Sequence, residues 1–235
     1  MKEIIITDIE GTLVSETQIE DATDLELLSH KVMVLTSSTP YYQAPQRLSE
    51  LNEKYRTVYL SGLPSSYEVK IKNWLFEFFP SGIVYLKENI SEPPNFYKQR
   101  MLKYLKGKHK IKYFFDDNQL NIIEGRILNI NSIRVVSNNF WIKMDKHIQN
   151  EIGRNSILSK LISQIENQLI EDREIFLYQL AHLVRMPGEA DLTPYHKRLL
   201  EEALLILQRQ NKIEIIPWRY TQKVKLKSPQ QVPLI

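Results

Sequence analysis

The stretch Ile4-Ile5-Ile6-Thr7-Asp8-Ile9-Glu10-Gly11-Thr12-Leu13 decides the fold of the first half of the chain. Its apolar run predicts a short buried strand, and the glycine predicts a turn directly after it. Asp8 and Glu10 therefore stand where the strand ends. Ligand sites in open α/β sheets lie outside the carboxyl ends of the strands, so both carboxylates are candidate site residues.

Outward from this stretch, the first part of the chain alternates short apolar runs with helical patterns. This alternation is typical of a parallel sheet with helices on both faces, so we expect an α/β domain over residues 1–140. The predicted strands are Glu3–Thr7, Val32–Leu35, Thr57–Leu60, Ile83–Leu86, Lys112–Phe115 and Ile133–Val136. The predicted helices are Pro45–Lys54, Ser66–Phe79 and Asn95–Lys106.

A hydroxyl-bearing segment follows the strand predicted over Thr57–Leu60. Ser61 and Gly62 present a hydroxyl there, and the N-terminus of the next helix adds N–H groups and a dipole that favour an anion. The run Thr36-Ser37-Ser38 is a rival, but it comes early and lacks the glycine and the long following helix. We therefore favour Ser61 as the anion-binding hydroxyl.

Two adjacent acids, Asp116 and Asp117, follow a third apolar strand. Together with Asp8 and Glu10 they bring carboxylates to separate strand ends. The chain has no cysteine, and its five histidines lack the spacing of a metal site. Oxygen ligands without cysteine or clustered histidine point to a hard cation such as Mg²⁺.

The composition excludes several classes of protein. The 235 residues carry 31 lysines and arginines against 28 acids, and 43% are hydrophobic, which fits a globular protein of one or two domains. No apolar run approaches the roughly 18 residues that a helix needs to cross a bilayer, so we expect a cytoplasmic protein without a membrane partner. With seven glycines in all, the sequence contains no glycine-rich phosphate loop of the dinucleotide-binding or nucleotide-hydrolysing kind.

The second part of the chain, from residue 148 to residue 235, changes to a mainly helical pattern. The predicted helices are Ile152–Glu171, Glu174–Arg185 and Pro194–Gln210, and the predicted strands are Lys212–Ile216 and Tyr220–Leu226. Thr193 and Pro194 suit the N-cap and first positions of a helix. Three helices followed by a hairpin are the order of a winged helix, so we expect a helical, winged-helix-like domain.

The charge of the chain is concentrated in this second part. Residues 138–235 hold 14 lysines and arginines against 11 acids, whereas residues 1–137 hold 17 of each. Four cations fall in or beside the predicted hairpin, namely Arg219, Lys223, Lys225 and Lys227. They form either a basic wing that binds nucleic-acid phosphates or a solvated edge hairpin that lysines protect from aggregation. In the second case we expect the hairpin to pack on a second subunit.

Three segments of the first part carry a resemblance to a known family. They are Asp8-Ile9-Glu10-Gly11-Thr12-Leu13, Leu60-Ser61-Gly62-Leu63-Pro64 and Phe114-Phe115-Asp116-Asp117, with a lysine between the last two. In this order they resemble the four motifs of the haloacid dehalogenase (HAD) superfamily of phosphotransferases, over about residues 1–137. The resemblance implies a Rossmann-like parallel sheet with helices on both faces, and a catalytic site at one edge of it.

The resemblance also implies a role for each motif. Asp8 would be the nucleophile that forms an aspartyl-phosphate, and Ser61 with Gly62 would bind the phosphoryl group. A lysine would neutralise that group. Lys98 fits best, because two prolines precede it and it falls near the start of the next helix; Lys87 is the fallback.

The metal site implied by the resemblance contains Asp8 and Asp116, which would hold Mg²⁺. The resemblance also implies a metal contact from the backbone carbonyl of Glu10, and we add Asp117, the adjacent acid, to the candidate ligands. Glu10 departs from the family pattern, because most HAD phosphatases have an aspartate there as general acid and base. Glutamate keeps the carboxylate but moves it by about an ångström, and a displacement of that size can cost roughly 10²-fold in rate.

Two functions from different classes follow from these residues. The first is a Mg²⁺-dependent phosphomonoester hydrolase that forms an aspartyl-phosphate, and a nucleotide or nucleic-acid phosphate as substrate is consistent with the basic hairpin. The second is a catalytically weak or inactive HAD-like protein that acts as a winged-helix nucleic-acid-binding or assembly factor. In either case the second domain contributes substrate binding, nucleic-acid binding or homodimer formation.

Overall fold

The computed structural model describes residues 3–16, 24–172, 174–183, 193–218 and 221–227. The chain divides into two compact units, residues 1–152 and 153–235. The division falls inside one long helix, Met144–Asp172. In the described ranges no helix is both long and apolar enough to span a membrane.

The first unit is built on a parallel sheet of five strands in the order β3-β2-β1-β4-β5. The strands are β1 (Ile4–Thr7), β2 (Arg56–Pro64), β3 (Ile83–Lys87), β4 (Ile111–Asp116) and β5 (Ser132–Arg134). All four residues of the central strand β1 are buried, as expected for a strand that is covered on both faces. The carboxyl ends of β1, β2 and β4 therefore lie side by side at one edge of the sheet.

Helices cover both faces of this sheet, which confirms the predicted fold class. They are α1 (Leu25–Thr36), α2 (Ala44–Lys54), α3 (Glu68–Phe78), α4 (Pro94–Lys108), α5 (Gln119–Ile127) and the first part of α6 (Met144–Asp172). Ile5 points to the core shared with α1, α2 and α3. Ile4 and Ile6 point to the opposite core, which α4 and α5 complete. The architecture is a parallel-sheet α/β fold of Rossmann-like character.

One predicted strand is wrong, because residues 32–35 belong to α1. The helix starts after Asp24, whose side chain accepts a hydrogen bond from the N–H of Glu26 and caps the helix. Val32 and Leu35 are buried, whereas the two residues between them are exposed. A run of four apolar residues fits one helical turn as well as a strand, and here the cap and the spacing favour the helix.

The segment after Ser61 also differs from the prediction. Strand β2 continues to Pro64, a 3-10 turn covers Ser65–Tyr67, and α3 begins only at Glu68. The helix therefore does not start directly behind Ser61. The expectation that Ser61 sits at the N-terminus of this helix is wrong.

The second unit combines helices with a small antiparallel sheet. Its elements after α6 are β6 (Glu174–Phe176), α7 (Leu177–Leu180), the 3-10 turn Ala181–Leu183, α8 (Pro194–Arg209), β7 (Ile213–Trp218) and β8 (Thr221–Leu226). The sheet order is β6-β8-β7. The predicted helix over residues 174–185 thus begins with a strand that the sequence analysis missed. Thr193 caps α8 through the N–H of His196, as predicted.

Candidate functional site

Two buried carboxylates and one buried ammonium form the centre of the site. Asp8 follows β1, and Asp116 is the last residue of the neighbouring strand β4. Lys98 projects from α4 between them, with its Nζ 2.8 Å from Asp8 Oδ2 and 2.9 Å from Asp116 Oδ2. All three residues are buried. The strand ends therefore place Asp8 and Asp116 close together, and Lys98 contacts both carboxylates.

Further donors fix the orientation of Asp116. The backbone N–H of Asn118 donates to Oδ1 at 2.8 Å, and the Asn121 side-chain amide reaches both carboxylate oxygens at 3.1 Å. Asn121 lies in the first turn of α5 and is buried. The sequence analysis missed it, because a single asparagine near a helix start carries no motif. Asn121 follows Asp117 by four residues, about one helical turn, and this spacing could have indicated that its side chain reaches the acid pair.

The charges in the cluster shift one another's ionisation. Burial raises the pKa of Asp8 well above its usual value; Lys98 opposes this rise, and the carboxylate of Asp116 adds to it. Burial lowers the pKa of Lys98, but attraction by Asp116 and Asp8 outweighs burial and raises it overall. Burial and the nearby Asp116 raise the pKa of Asp117 to about 6. Lys98 is thus held protonated, while the carboxylates would be stabilised by further positive charge.

Asp8, Asp116 and Asp117 could bind a metal ion. Each offers a carboxylate oxygen, and these oxygens lie within 4.8 Å of one another. Gly11 is part of this arrangement, because its φ of +74° suits glycine and a Cβ there would lie 2.3 Å from Asp117 Oδ2. The turn after β1 can therefore approach the acid pair only without a side chain. The donor set fits a hard cation.

Glu10 lies in this turn, close to a lysine that the sequence analysis did not consider. Its Oε2 is 3.1 Å from the Nζ of Lys31, and both side chains are largely buried. Lys31 belongs to α1, in the segment that directly precedes the wrongly predicted strand. A second contact holds the same turn. Nε1 of Trp141, a residue just before α6, donates a hydrogen bond to the backbone carbonyl of Thr12 at 2.9 Å.

Ser61 and Gly62 line the same cavity as Asp8, Glu10 and Lys98, which has a volume of about 450 Å³. The Ser61 hydroxyl accepts a hydrogen bond from the N–H two residues further on at 3.2 Å. At Gly62 the chain touches α4, because a Cβ there would lie 2.6 Å from Pro94 Cβ. The start of α4 and the end of β2 are thus in direct contact.

The rival residues are engaged elsewhere. The hydroxyls of Thr36, Ser37 and Ser38 bond to carbonyls of α1, one turn back in the chain. Lys87 lines the cavity but donates to the carbonyls of Ile90 and Glu92 at 3.1 and 2.8 Å, so it holds the loop after β3. Lys98 contacts the carboxylates of Asp8 and Asp116 directly.

The basic residues of the second unit are largely matched by acids. Lys223 lies 2.9 Å from Glu174 across the sheet, and the backbone register places Lys225 between Glu174 and Glu214. Lys227 donates to Asn211 at 2.6 Å. Arg219 lies outside the described residues. β8 is the central strand of the sheet rather than an edge, so the alternative of lysines protecting an exposed edge strand does not apply to it.

A comparison with protein-family models gave no match, and none of the curated proteins matches the chain. Among solved structures, a chain of the "Pnkp1/Rnl/Hen1 RNA repair complex" is similar with a TM-score of 0.47 and 17% identity, over 57% of this chain and 42% of that one. A chain described as "Structure of Pnkp1/Rnl/Hen1 complex" has a TM-score of 0.44 and 16% identity, over 57% and 46%.

The chain spans less than half the length of these two matching chains. At this level of identity the likeness concerns the fold alone. The sequence resemblance to HAD motifs and the geometry of the site therefore carry the functional argument.

Proposed function

We propose that the first unit is a Mg²⁺-dependent phosphomonoester hydrolase of the HAD type. The observation that carries the proposal is the position of Lys98, whose ammonium lies within 2.9 Å of both Asp8 and Asp116. These residues and Ser61 come from the three resembling segments and the lysine between them, in the order of the family's motifs, and they face one cavity or lie directly against it. A buried ion pair with a purely structural role would not require these residues to follow the motif order or to lie at a cavity.

In the proposed reaction Asp8 acts as the nucleophile. One of its oxygens forms a bond to phosphorus while the bond from phosphorus to the leaving-group oxygen breaks, which gives an aspartyl-phosphate. Ser61 and the backbone of Gly62 hold the phosphoryl oxygens, and Lys98 offsets their charge. Water then attacks the phosphorus, the bond to Asp8 breaks, and inorganic phosphate leaves with the carboxylate restored.

Glu10 is the proposed proton carrier of both steps. It gives a proton to the leaving oxygen in the first step and takes one from the attacking water in the second. In its carboxylate form, which is the form that takes the proton from water, this side chain is held at the cavity wall by the ion pair with Lys31. The extra methylene of glutamate is thus compensated by a specific partner rather than left to move freely.

The acid cluster fits a Mg²⁺ ion as the cofactor of this reaction. Asp8 and Asp116 are the proposed principal ligands, with Asp117 and the carbonyl of Glu10 beside them. When bound, the ion would draw charge from the phosphoryl oxygens and lower the repulsion between them and the carboxylate nucleophile.

A second candidate function is supported by the topology of the described residues of the second unit. Helix, strand, two helices and a hairpin, with sheet order β6-β8-β7, agree with a winged-helix-like module. As a nucleic-acid-binding or assembly factor, such a module would need no turnover at the acid cluster. The pairing of Lys223 with Glu174 weakens the phosphate-binding role proposed for the hairpin.

The experiment that tests the main proposal is hydrolysis of 4-nitrophenyl phosphate with Mg²⁺ and with EDTA. We expect Mg²⁺-dependent release of 4-nitrophenol that Asp8→Asn abolishes. Asp145→Asn is the matched control, because Asp145 is exposed at the start of α6. Equal inactivity of wild type and Asp8→Asn across pH 5–9 would exclude the hydrolase and favour the second candidate.

A further inference from the structure

The helix that carries Lys98 has an exposed face of unusual composition. Residues 94–112 contain seven lysines and arginines and no acid. On α4 the exposed members occur at helical spacing together with two aromatic rings, and we name this set the α4 stripe: Phe96, Arg100, Lys103, Tyr104 and Lys108. Positions separated by three, four, seven and eight residues share one side of a helix, so these side chains form one continuous surface.

The aromatic members of the α4 stripe are exposed although the helix has a complete apolar face. Phe96 is 60% exposed and Tyr104 is 46% exposed. The core below α4 is formed by other residues of the helix, namely Tyr97, Met101, Leu102 and Leu105. The two rings are therefore not needed for that core, and their outer surfaces are open to a partner.

The cations of the stripe lie beside these rings. Lys108 donates to the hydroxyl of Tyr104 at 2.7 Å and lies 4.3 Å from its ring centroid. Arg100 pairs with Glu92 at 2.9 Å, with its side chain still 61% exposed. In the described part of the chain Lys103 has no carboxylate partner. Cations and exposed rings on one face match a strand of nucleic acid, whose phosphates bind cations and whose bases stack on aromatic faces.

The α4 stripe leads directly into the candidate active site. Pro94, Asn95 and Lys98, all in the first turn and a half of α4, line the cavity that contains Asp8. Fifteen residues of helix extend over about 22 Å, which provides a track for several nucleotides. A phosphate at the end of a bound strand would arrive beside Lys98.

We propose that the α4 stripe binds single-stranded nucleic acid and directs its terminal phosphate to Asp8. This inference rests on the proposed function, since it names the substrate class of the same site. An acidic protein would satisfy the cations but not the two exposed rings. Duplex would fit less well, because its bases are already stacked and cannot lie on Phe96 and Tyr104.

The binding test measures fluorescence anisotropy of a fluorescein-labelled, terminally phosphorylated dodecathymidylate at 50 mM salt. We expect Lys103→Glu with Tyr104→Ala to weaken binding at least tenfold and to flatten the salt dependence, by roughly 0.7 in slope for each cation lost. The matched control is Lys70→Glu with Tyr42→Ala. It changes an exposed lysine and an exposed tyrosine in the region of α2 and α3, which cover the opposite face of the sheet.

A control within twofold of wild type would support the stripe. Equal weakening in both double variants would overturn it, as would wild-type binding weaker than about 10⁻⁴ M, which is below ordinary non-specific binding. Unlabelled polyglutamate is added as a competitor at equal charge. If it displaces the oligonucleotide as well as unlabelled dodecathymidylate does, the surface binds any polyanion and the proposal fails.

Activity separates this inference from the proposed function. The stripe variant should hydrolyse 4-nitrophenyl phosphate within twofold of wild type, while phosphate release from the phosphorylated oligonucleotide falls at least tenfold. Equal loss on both substrates would mean a damaged site and would refute the stripe. If wild type hydrolyses neither substrate, the proposed function fails, and the anisotropy data alone decide whether the stripe binds nucleic acid.

Discussion

The Nζ of Lys31 lies 3.1 Å from Oε2 of Glu10 at the wall of the candidate active site. This contact joins α1 to the turn after β1, so a lysine outside the resembling segments holds the carboxylate of Glu10. Replacing either member would leave a largely buried charge without this partner, which is strongly unfavourable in a low-dielectric environment.

Lys31→Met should lower kcat about 10- to 100-fold with a smaller change in KM, because Glu10 loses its fixed position. Lys31→Arg should recover at least part of this loss, since it retains the cation. Steady-state kinetics with 4-nitrophenyl phosphate measure both constants. An unchanged kcat in Lys31→Met, with a normally folded protein, would contradict a positioning role.

Glu10→Gln should separate formation of the aspartyl-phosphate from its hydrolysis. 4-Nitrophenolate is a good leaving group and needs little protonation, whereas the attacking water needs a base. We therefore expect a rapid burst of 4-nitrophenol equal to the enzyme concentration, followed by slow turnover. Stopped-flow absorbance measures the burst, and Asp8→Asn should show none. A burst that persists in Asp8→Asn would assign the nucleophile to another residue.

Mg²⁺ should raise the melting temperature of the wild-type protein. A ligand that binds only the folded state stabilises it by about 2.7 kcal/mol at one hundred times its dissociation constant. Asp116→Asn and Asp117→Asn should reduce this shift, while Asp145→Asn should retain it. Calorimetric titration with Mg²⁺ gives the affinities directly. The acid cluster would not be the metal site if all three variants responded as wild type does.

Gly11→Ala should lower the free energy of unfolding by at least about 2 kcal/mol and remove activity. A non-glycine residue at φ +74° is strained by roughly 1–2 kcal/mol, and the added Cβ would also collide with Asp117. Gly153→Ala is the matched control. Gly153 lies within α6 with open space around it, so alanine there should stabilise the protein by about 0.4–1 kcal/mol. Urea denaturation compares the two variants.

Lys223→Ala with Lys225→Ala and Lys227→Ala should weaken oligonucleotide binding less than the α4 stripe variant does. The reason is that Lys223 and Lys225 already lie beside acids of the neighbouring strands. Anisotropy with the same dodecathymidylate measures both variants. A larger loss in the hairpin variant would assign the main nucleic-acid contact to the second unit.

The sequence was informative where a reactive side chain directly follows a predicted strand. An acid directly after an apolar run predicts a position at the edge of a parallel sheet, and Asp8 and Asp116 are indeed on neighbouring strands. Lys98 could be chosen over Lys87 because prolines mark the start of its helix. These inferences depend on local patterns, which the sheet topology preserves.

The rest depended on features that local patterns do not contain. Residues 32–35 resemble a strand because a short apolar run lacks a period, and this error hid the helix that carries Lys31. Asn121 contributes one side-chain amide, which donates to Asp116 from the first turn of α5, and a single residue of this kind forms no sequence pattern. The α4 stripe was missed because counting charge by halves balanced the seven cations of residues 94–112 against acids elsewhere in residues 1–137.

The contact between Gly62 and Pro94 closes the wall of the cavity where the end of β2 meets the start of α4. Both partners are stiff, since one is bare backbone and the other a closed ring. The distance between Ser61 and the helix that carries Lys98 is thus fixed by rigid groups and cannot adjust to the substrate. A change in the size of substrate admitted would therefore have to come from other parts of the lining, such as Leu28 and Lys31 of α1, and residue 62 should tolerate no side chain.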